Sequence, residues 1–94
     1  MQYQTMNFYV LQYIDGRYIK KREGNYYSRI TTELPYELSQ KFAEPYTSIK
    51  LATNAKNEIT ELIKSNFERE RYPFDPSLLK IIRMVATHDG PVEI

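Results

Sequence analysis

The chain has 94 residues, no cysteine, and a formal net charge of +1 from 13 basic and 12 acidic side chains. This length predicts a single domain (1–94) with one core. The missing cysteines exclude disulfides, thiolate nucleophiles and zinc–cysteine sites, and the near-zero charge is untypical of dedicated duplex-DNA binders and of acidic nucleic-acid mimics.

Neither a targeting segment nor a membrane span is predicted. The first ten residues, MQYQTMNFYV, lack a basic stretch followed by an apolar run. The longest apolar-rich stretch, 78–86, is interrupted by Lys80 and Arg83 and is too short to cross a bilayer. We therefore expect a cytoplasmic protein with no membrane partner, a location that the cysteine-free composition also fits.

Residues 6–31 are predicted to form a β-meander after a loose N-terminus at 1–5. Residues 6–14, MNFYVLQYI, are rich in aromatic and β-branched types, which favour a strand. Asp15-Gly16 then predicts a two-residue hairpin loop, because a type I′ turn needs positive φ at both central positions. A second strand is expected over 17–21 and a third over 26–31, after the turn signal Glu23-Gly24-Asn25.

This register assigns the strand residues to two faces, since alternate side chains point to opposite sides. With Tyr13 opposite Tyr18 and Gln12 opposite Ile19, the two faces differ in character. The more aliphatic face is predicted to face the core and carries Phe8, Val10, Ile14, Ile19, Tyr26 and Ile30. The other face mixes Leu11 with tyrosines and cations, namely Tyr9, Tyr13, Tyr18, Lys20, Arg22, Tyr27 and Arg29.

Residues 32–52 are predicted to connect the meander to a helix. Leu34, Leu38 and Phe42 have helical spacing, and Pro35 suits the first turn of a short helix, so a short helix and an irregular connection remain equal alternatives. Residues 48–52 are a candidate for a short strand.

Residues 53–71 are predicted to form the main helix, with Thr53 or Asn54 as N-cap. Apolar residues recur there as one stripe, whereas Lys56, Glu58, Glu61, Lys64 and Glu68 lie elsewhere on the helix. The stripe is expected to pack on the aliphatic face of the sheet, and it consists of Ala55, Ile59, Leu62, Ile63 and Phe67.

Residues 78–87, LLKIIRMVAT, fit a strand or a helix that begins at Asp75-Pro76. The β-branched centre and the nearly continuous apolar run favour a strand buried within the sheet. Residues 88–94 are predicted to be a tail. The expected fold class is therefore α+β, with an antiparallel three- to four-stranded sheet, an N-terminal β-meander and one main amphipathic helix on one face.

Catalytic and metal-binding motifs are missing from the sequence, so we expect a non-enzyme with no cofactor, no metal and no catalytic residues. The single histidine, His88, precedes Asp89-Gly90 and is interpreted as a solvated turn residue. The three glycines lie too far apart for a phosphate-binding loop or a dinucleotide fingerprint.

The tyrosine-rich face is the one group of residues that suggests a function, because tyrosine and arginine are favoured at protein interfaces. It is also explained by cross-strand pairing on a solvated surface, or by packing beneath residues 32–47. The hypothesised partner-binding residues are Tyr9, Tyr13, Tyr18, Lys20, Arg22, Tyr27 and Arg29. The same face offers single-stranded nucleic-acid binding as an alternative, and an aromatic face or an unpaired edge strand offers self-association into a homodimer as another.

The succession FYVLQYIDGRYIKK, a Tyr-rich strand, the helix ATNAKNEITELIK and the closing strand KIIRMV resembles small accessory proteins encoded by phages and prophages of low-GC Gram-positive bacteria. Some of those proteins are anti-CRISPR-type inhibitors. The resemblance implies a protein-binding accessory or inhibitory module directed at a host protein.

Overall fold

The computed structural model describes residues 4–22 and 34–88, and it confirms the α+β class. Four antiparallel strands form a sheet in the order β3-β2-β1-β4, and one long helix packs on it. Two short 3₁₀ turns, Arg69–Arg71 and Pro76–Leu78, lie between the helix and the last strand. The elements are β1 (Gln4–Gln12), β2 (Tyr18–Lys21), β3 (Tyr36–Ser39), α1 (Ile49–Asn66) and β4 (Lys80–His88).

The first hairpin has a three-residue loop, Ile14 to Gly16, so the prediction of a two-residue loop is wrong. Gly16 N–H donates to Tyr13 O over 2.9 Å, and Tyr13 N–H donates to Arg17 O over 2.7 Å. Gly16 has φ +97°, whereas no non-glycine residue in the described ranges has positive φ. This combination is a type I turn followed by a glycine bulge. The Asp15 carboxylate stabilises the loop by accepting from Arg17 N and Nε, over 3.0 and 2.7 Å.

The longer loop shifts the register by one residue, so that Gln12 pairs with Tyr18 instead of Ile19. A one-residue shift turns every side chain of one strand to the opposite face relative to its partner. The predicted faces are therefore wrong, because Leu11 and Ile19 now lie in the same core, and both are fully buried. Ile14, expected in the core, is 61% exposed in the loop.

We expect Gly16→Ala to lower the free energy of unfolding by about 1–2 kcal/mol, the usual cost of a left-handed conformation for a residue with a Cβ. No atom lies within 4 Å of the added Cβ, so the cost comes from the backbone alone. Gly16→Asn is the matched control and should cost less, since asparagine tolerates positive φ. Equilibrium urea unfolding measures both changes, and a neutral alanine variant would contradict the bulge.

β3 pairs with β2 and completes the meander, with Lys20 opposite Glu37. The short helix expected over residues 32–47 is wrong, and the irregular connection is right for residues 40–45, which form neither helix nor strand, but not for β3. The period-two burial of Leu34, Tyr36 and Leu38 is the strand signal. Pro35 precedes an edge strand, where proline is tolerated. The third strand predicted over residues 26–31 lies outside the described residues.

Residues 44–46 run between β1 and β2, which pair directly only next to their hairpin loop. Tyr9 and Tyr46 exchange two backbone hydrogen bonds of 2.8 and 2.7 Å. Glu44 N–H donates to Ile19 O over 2.8 Å on the β2 side. This inserted segment satisfies backbone groups of both separated strands, as buried backbone requires.

α1 begins at Ile49, four residues before the predicted start. The predictions of a strand over 48–52 and of an N-cap at Thr53 or Asn54 are therefore wrong. Ser48 is the N-cap, and its Oγ accepts from Leu51 N over 3.1 Å. The helix ends at Asn66 rather than at residue 71. The predicted apolar stripe is confirmed, because Ala55, Ile59 and Ile63 are buried while Leu62 and Phe67 pack partly buried against the core.

The main core lies between α1 and the face of the sheet that carries Leu11 and Ile19. Phe8 and Val10 were predicted to face this core. Val10 is only 1% exposed, but it does not belong to the core cluster. Alternation along β1 puts Tyr9 and Tyr13 on the helix side instead, where both pack partly buried against the core.

β4 is a strand, as predicted, but it spans Lys80–His88 rather than residues 78–87, so the assignment of His88 to a turn and tail is wrong. It pairs with β1 along its whole length, from Gln4↔His88 to Gln12↔Lys80. It forms an edge of the four-stranded sheet rather than a central strand. No helix in the described ranges is both long enough and apolar enough to span a bilayer.

Candidate functional site

The structure separates the residues predicted to form one contact surface. Tyr9 and Tyr13 lie on the helix side of the sheet, whereas Tyr18 and Lys20 lie on the opposite side, because of the register shift. The expectation that these residues share one face is therefore wrong. Tyr27 and Arg29 lie outside the described residues. The partner-binding role of the individual residues stays a prediction.

Tyr13 joins the first strand to the segment that follows α1. Its hydroxyl accepts a hydrogen bond from Asp75 N over 3.1 Å, across 62 residues of sequence. Its ring meets the Phe74 ring edge-on, with centroids 5.6 Å apart and planes at 70°. This geometry is typical of stabilising aromatic pairs, so Tyr13 holds the 72–77 segment in place.

The helix-free side of the sheet carries a group of charges that pair with one another. The Glu37 carboxylate lies 3.6 Å from Lys20 Nζ and 3.6 Å from Arg22 Nη1. Arg22 Nε also donates to Leu34 O over 3.0 Å. Lys20 Nζ lies 5.7 Å from the centre of the Phe42 ring, which is 64% exposed. Two cations of the predicted surface are thus partnered within the chain.

A groove of about 490 Å³ runs between α1 and the segment 69–77, and we call it the α1 groove. Its helix wall consists of Lys56, Thr60 and Lys64, which recur every four residues and so lie on one side of the helix. The opposite wall is formed by residues 69–77, with Arg69, Tyr72, Phe74 and Asp75 among its lining side chains.

The wall opposite α1 is fixed by local hydrogen bonds as well as by Tyr13. Asp75 caps the 3₁₀ turn Pro76–Leu78, and its Oδ1 accepts from Ser77 N over 3.0 Å and from Ser77 Oγ over 2.7 Å. Phe74 and Pro76 are buried beneath the groove. These contacts hold one wall of the groove in place, and the other wall is a regular helix, as expected for a preformed binding site.

The α1 groove is electropositive. Lys56, Lys64 and Arg69 line it, and none of the ion pairs found among the described residues involves any of them. Asp75 is the one acid among the described lining residues. Hydrogen bonds from Ser77 and, less strongly, the charge of Arg69 hold the pKa of the Asp75 carboxyl below its usual range. Three cations thus face one carboxylate, whose Oδ1 already accepts two hydrogen bonds.

Two buried phenols lie on the other side of the core. Tyr36 donates from its hydroxyl to Glu58 Oε1 over 3.2 Å, and burial together with the Glu58 carboxylate raises the pKa of Tyr36 to about 12. Burial also raises the pKa of Tyr46, whose hydroxyl has no hydrogen-bond partner among the described residues. These groups stay protonated at neutral pH and supply no acid–base chemistry there.

Within residues 4–22 and 34–88, no three histidine, aspartate or glutamate side chains come together as metal ligands would. The Ser77–Asp75 hydrogen bond is the arrangement in the groove most similar to a nucleophile and its base. The lowered pKa of Asp75 makes its carboxylate a poor proton acceptor at neutral pH.

Sequence analysis missed the α1 groove, although part of its signal was present. Lys56 and Lys64 were placed on the helix away from its apolar stripe, and their spacing around Thr60 already implied a shared line. The position of Tyr72 and Arg69 opposite that line depends on how the chain turns after Asn66, which the sequence does not specify. No protein family, curated protein or solved structure matches this chain.

Proposed function

We propose that the protein is a non-catalytic protein-binding module that engages its partner through the α1 groove. The observation that carries this proposal is the group of three cations, Lys56, Lys64 and Arg69, in a groove whose single described acid is hydrogen-bonded to Ser77. An excess of cations over acids around a concave surface with an aromatic wall favours a complementary, negatively charged partner.

The inhibitory, phage-encoded role directed at a host protein is part of this proposal, and it is supported by the resemblance of the sequence layout alone. The cytoplasmic location is supported by the cysteine-free composition. The helix-free side of the sheet supports partner binding less well, because Glu37 already pairs with Lys20 and Arg22 there.

Charge reversal in the groove tests the proposal. We expect Lys56→Glu combined with Lys64→Glu to abolish retention of a partner protein in affinity capture from bacterial lysate, because two attractive contacts become repulsive. The matched control is Lys41→Glu combined with Lys50→Glu, which makes the same change in net charge at exposed lysines outside the groove. A partner kept by the wild type and the control, and lost by the groove variant, would support the proposal.

The captured partner is then purified and titrated by calorimetry, with circular dichroism showing that each variant is folded. Capture that survives the groove reversal would contradict the proposal. A retained species removed by nuclease would support nucleic-acid binding instead. Sedimentation that shows only a dimer of this chain would support self-association, for which the outer edge of β4 is the candidate surface.

A further inference from the structure

Resting on the proposed function, we infer that the α1 groove binds an extended acidic segment of its partner, with two carboxylates four residues apart and an aromatic side chain between them. The argument starts from the helix wall. Lys56 and Lys64 are eight residues apart on α1, which corresponds to about 12 Å along the helix axis at about 1.5 Å per residue.

Two lysines that leave the helix this far apart are not confined to one small anion. Their spacing instead matches an extended peptide, in which side chains four residues apart lie about 13 Å apart on the same side of the backbone, at about 3.3 Å per residue. Carboxylates at the first and fifth positions of such a segment reach Lys56 and Lys64. Arg69, on the opposite wall, adds a third cation to the lining.

The middle of the segment faces the centre of the groove. Thr60 lies halfway between the two lysines on the helix wall, and Tyr72 lies half-buried on the other wall above the buried Phe74. An aromatic side chain at the third position of the segment contacts this surface and removes apolar area from water. The groove therefore combines two charged ends with an aromatic centre.

A carboxylate-bearing peptide fits the groove better than a nucleic-acid strand. A continuous run of phosphates along the groove would pass Asp75, whose lowered pKa keeps it ionised. Separated carboxylates bring fewer negative charges into the groove beside Asp75. The near-neutral charge of the whole chain also gives little long-range attraction for a polyanion.

The test uses a capped seven-residue peptide with glutamate at its second and sixth positions, phenylalanine at its fourth and glycine elsewhere. Binding to the full chain is followed by two-dimensional NMR. We expect shifts in residues 56–64 and 69–77. We also expect affinity about 2- to 30-fold tighter than for the peptide with two glutamines, the range given by two exposed ion pairs. The Lys56→Glu, Lys64→Glu variant should lose this difference, and the Lys41→Glu, Lys50→Glu control should keep it.

Two further ligands decide between the alternatives. A peptide with adjacent glutamates should bind more weakly than the spaced peptide, and a single-stranded oligonucleotide or inorganic phosphate should not shift the groove residues. Equal binding of the glutamate and glutamine peptides, or tighter binding of the oligonucleotide, would overturn the inference. If the peptide fails while lysate capture still depends on Lys56 and Lys64, the proposed function stands and the acidic segment is wrong. If both fail, the groove is not the binding site.

Discussion

Ile59→Ala is expected to lower the free energy of unfolding by about 2–5 kcal/mol, the range for removing a buried isoleucine side chain beyond Cβ. Ile59 is 0% exposed at the centre of the stripe that α1 packs on Leu11 and Ile19. Since small domains have about 5–15 kcal/mol of total stability, this single change should remove a large part of it.

Ile49→Ala is the matched control, because it makes the same chemical change on the same helix at a side chain that is 57% exposed. We expect it to change stability by no more than about 0.5 kcal/mol. Urea unfolding followed by circular dichroism at 222 nm measures both variants. Equal losses for the two would show that the face of α1 that contacts the sheet is assigned wrongly.

Alkaline pH is expected to destabilise the fold through Tyr36. Its folded-state pKa of about 12 lies above the ordinary tyrosine value of 10.0, because of burial first and the Glu58 carboxylate second. The stabilisation is therefore fully present below pH 10 and is lost as the pH rises through 12. The loss is at most about 3 kcal/mol, at about 1.4 kcal/mol per pKa unit, and solvent screening of the hydroxyl lowers it. The raised pKa of Tyr46 acts in the same direction.

Tyr36→Phe should reduce the slope of stability against pH between pH 10 and 12, because phenylalanine has no proton to lose. Glu58→Gln should reduce the slope less, since burial is the larger cause of the shift. Urea midpoints at several pH values, with absorbance at 295 nm to follow phenolate formation, provide the measurement. Parallel curves for the wild type and Tyr36→Phe would contradict the buried phenol.

The secondary structure was largely predictable because its signals are local. The stripe through Ala55, Ile59 and Ile63 has the helical period, and the β-branched centre of β4 favours a strand over a helix. The start of α1 was not predicted, because residues 48–52 also fit a short strand, whereas Ser48 in fact caps the helix.

The faces of the sheet were not predictable, because they depend on a single residue of loop length. Asp15-Gly16 fits a two-residue loop as well as the bulged three-residue loop that forms. The choice determines whether Tyr18 points with Tyr13 or away from it. The predicted contact surface depended on that choice. The α1 groove depends on tertiary contacts such as Tyr13 with Asp75, which local patterns do not encode.

The insertion of residues 44–46 between β1 and β2 has a consequence for the order of folding. The Tyr9–Tyr46 pair closes a loop of more than thirty residues, whereas the β1–β2 turn closes a very short one. Loop-closure entropy therefore favours early formation of the hairpin tip and later formation of the Tyr9–Tyr46 bridge. Because the Tyr9–Tyr46 bridge joins distant parts of the chain, the domain should fold more slowly than a β-meander of its size without such an insertion.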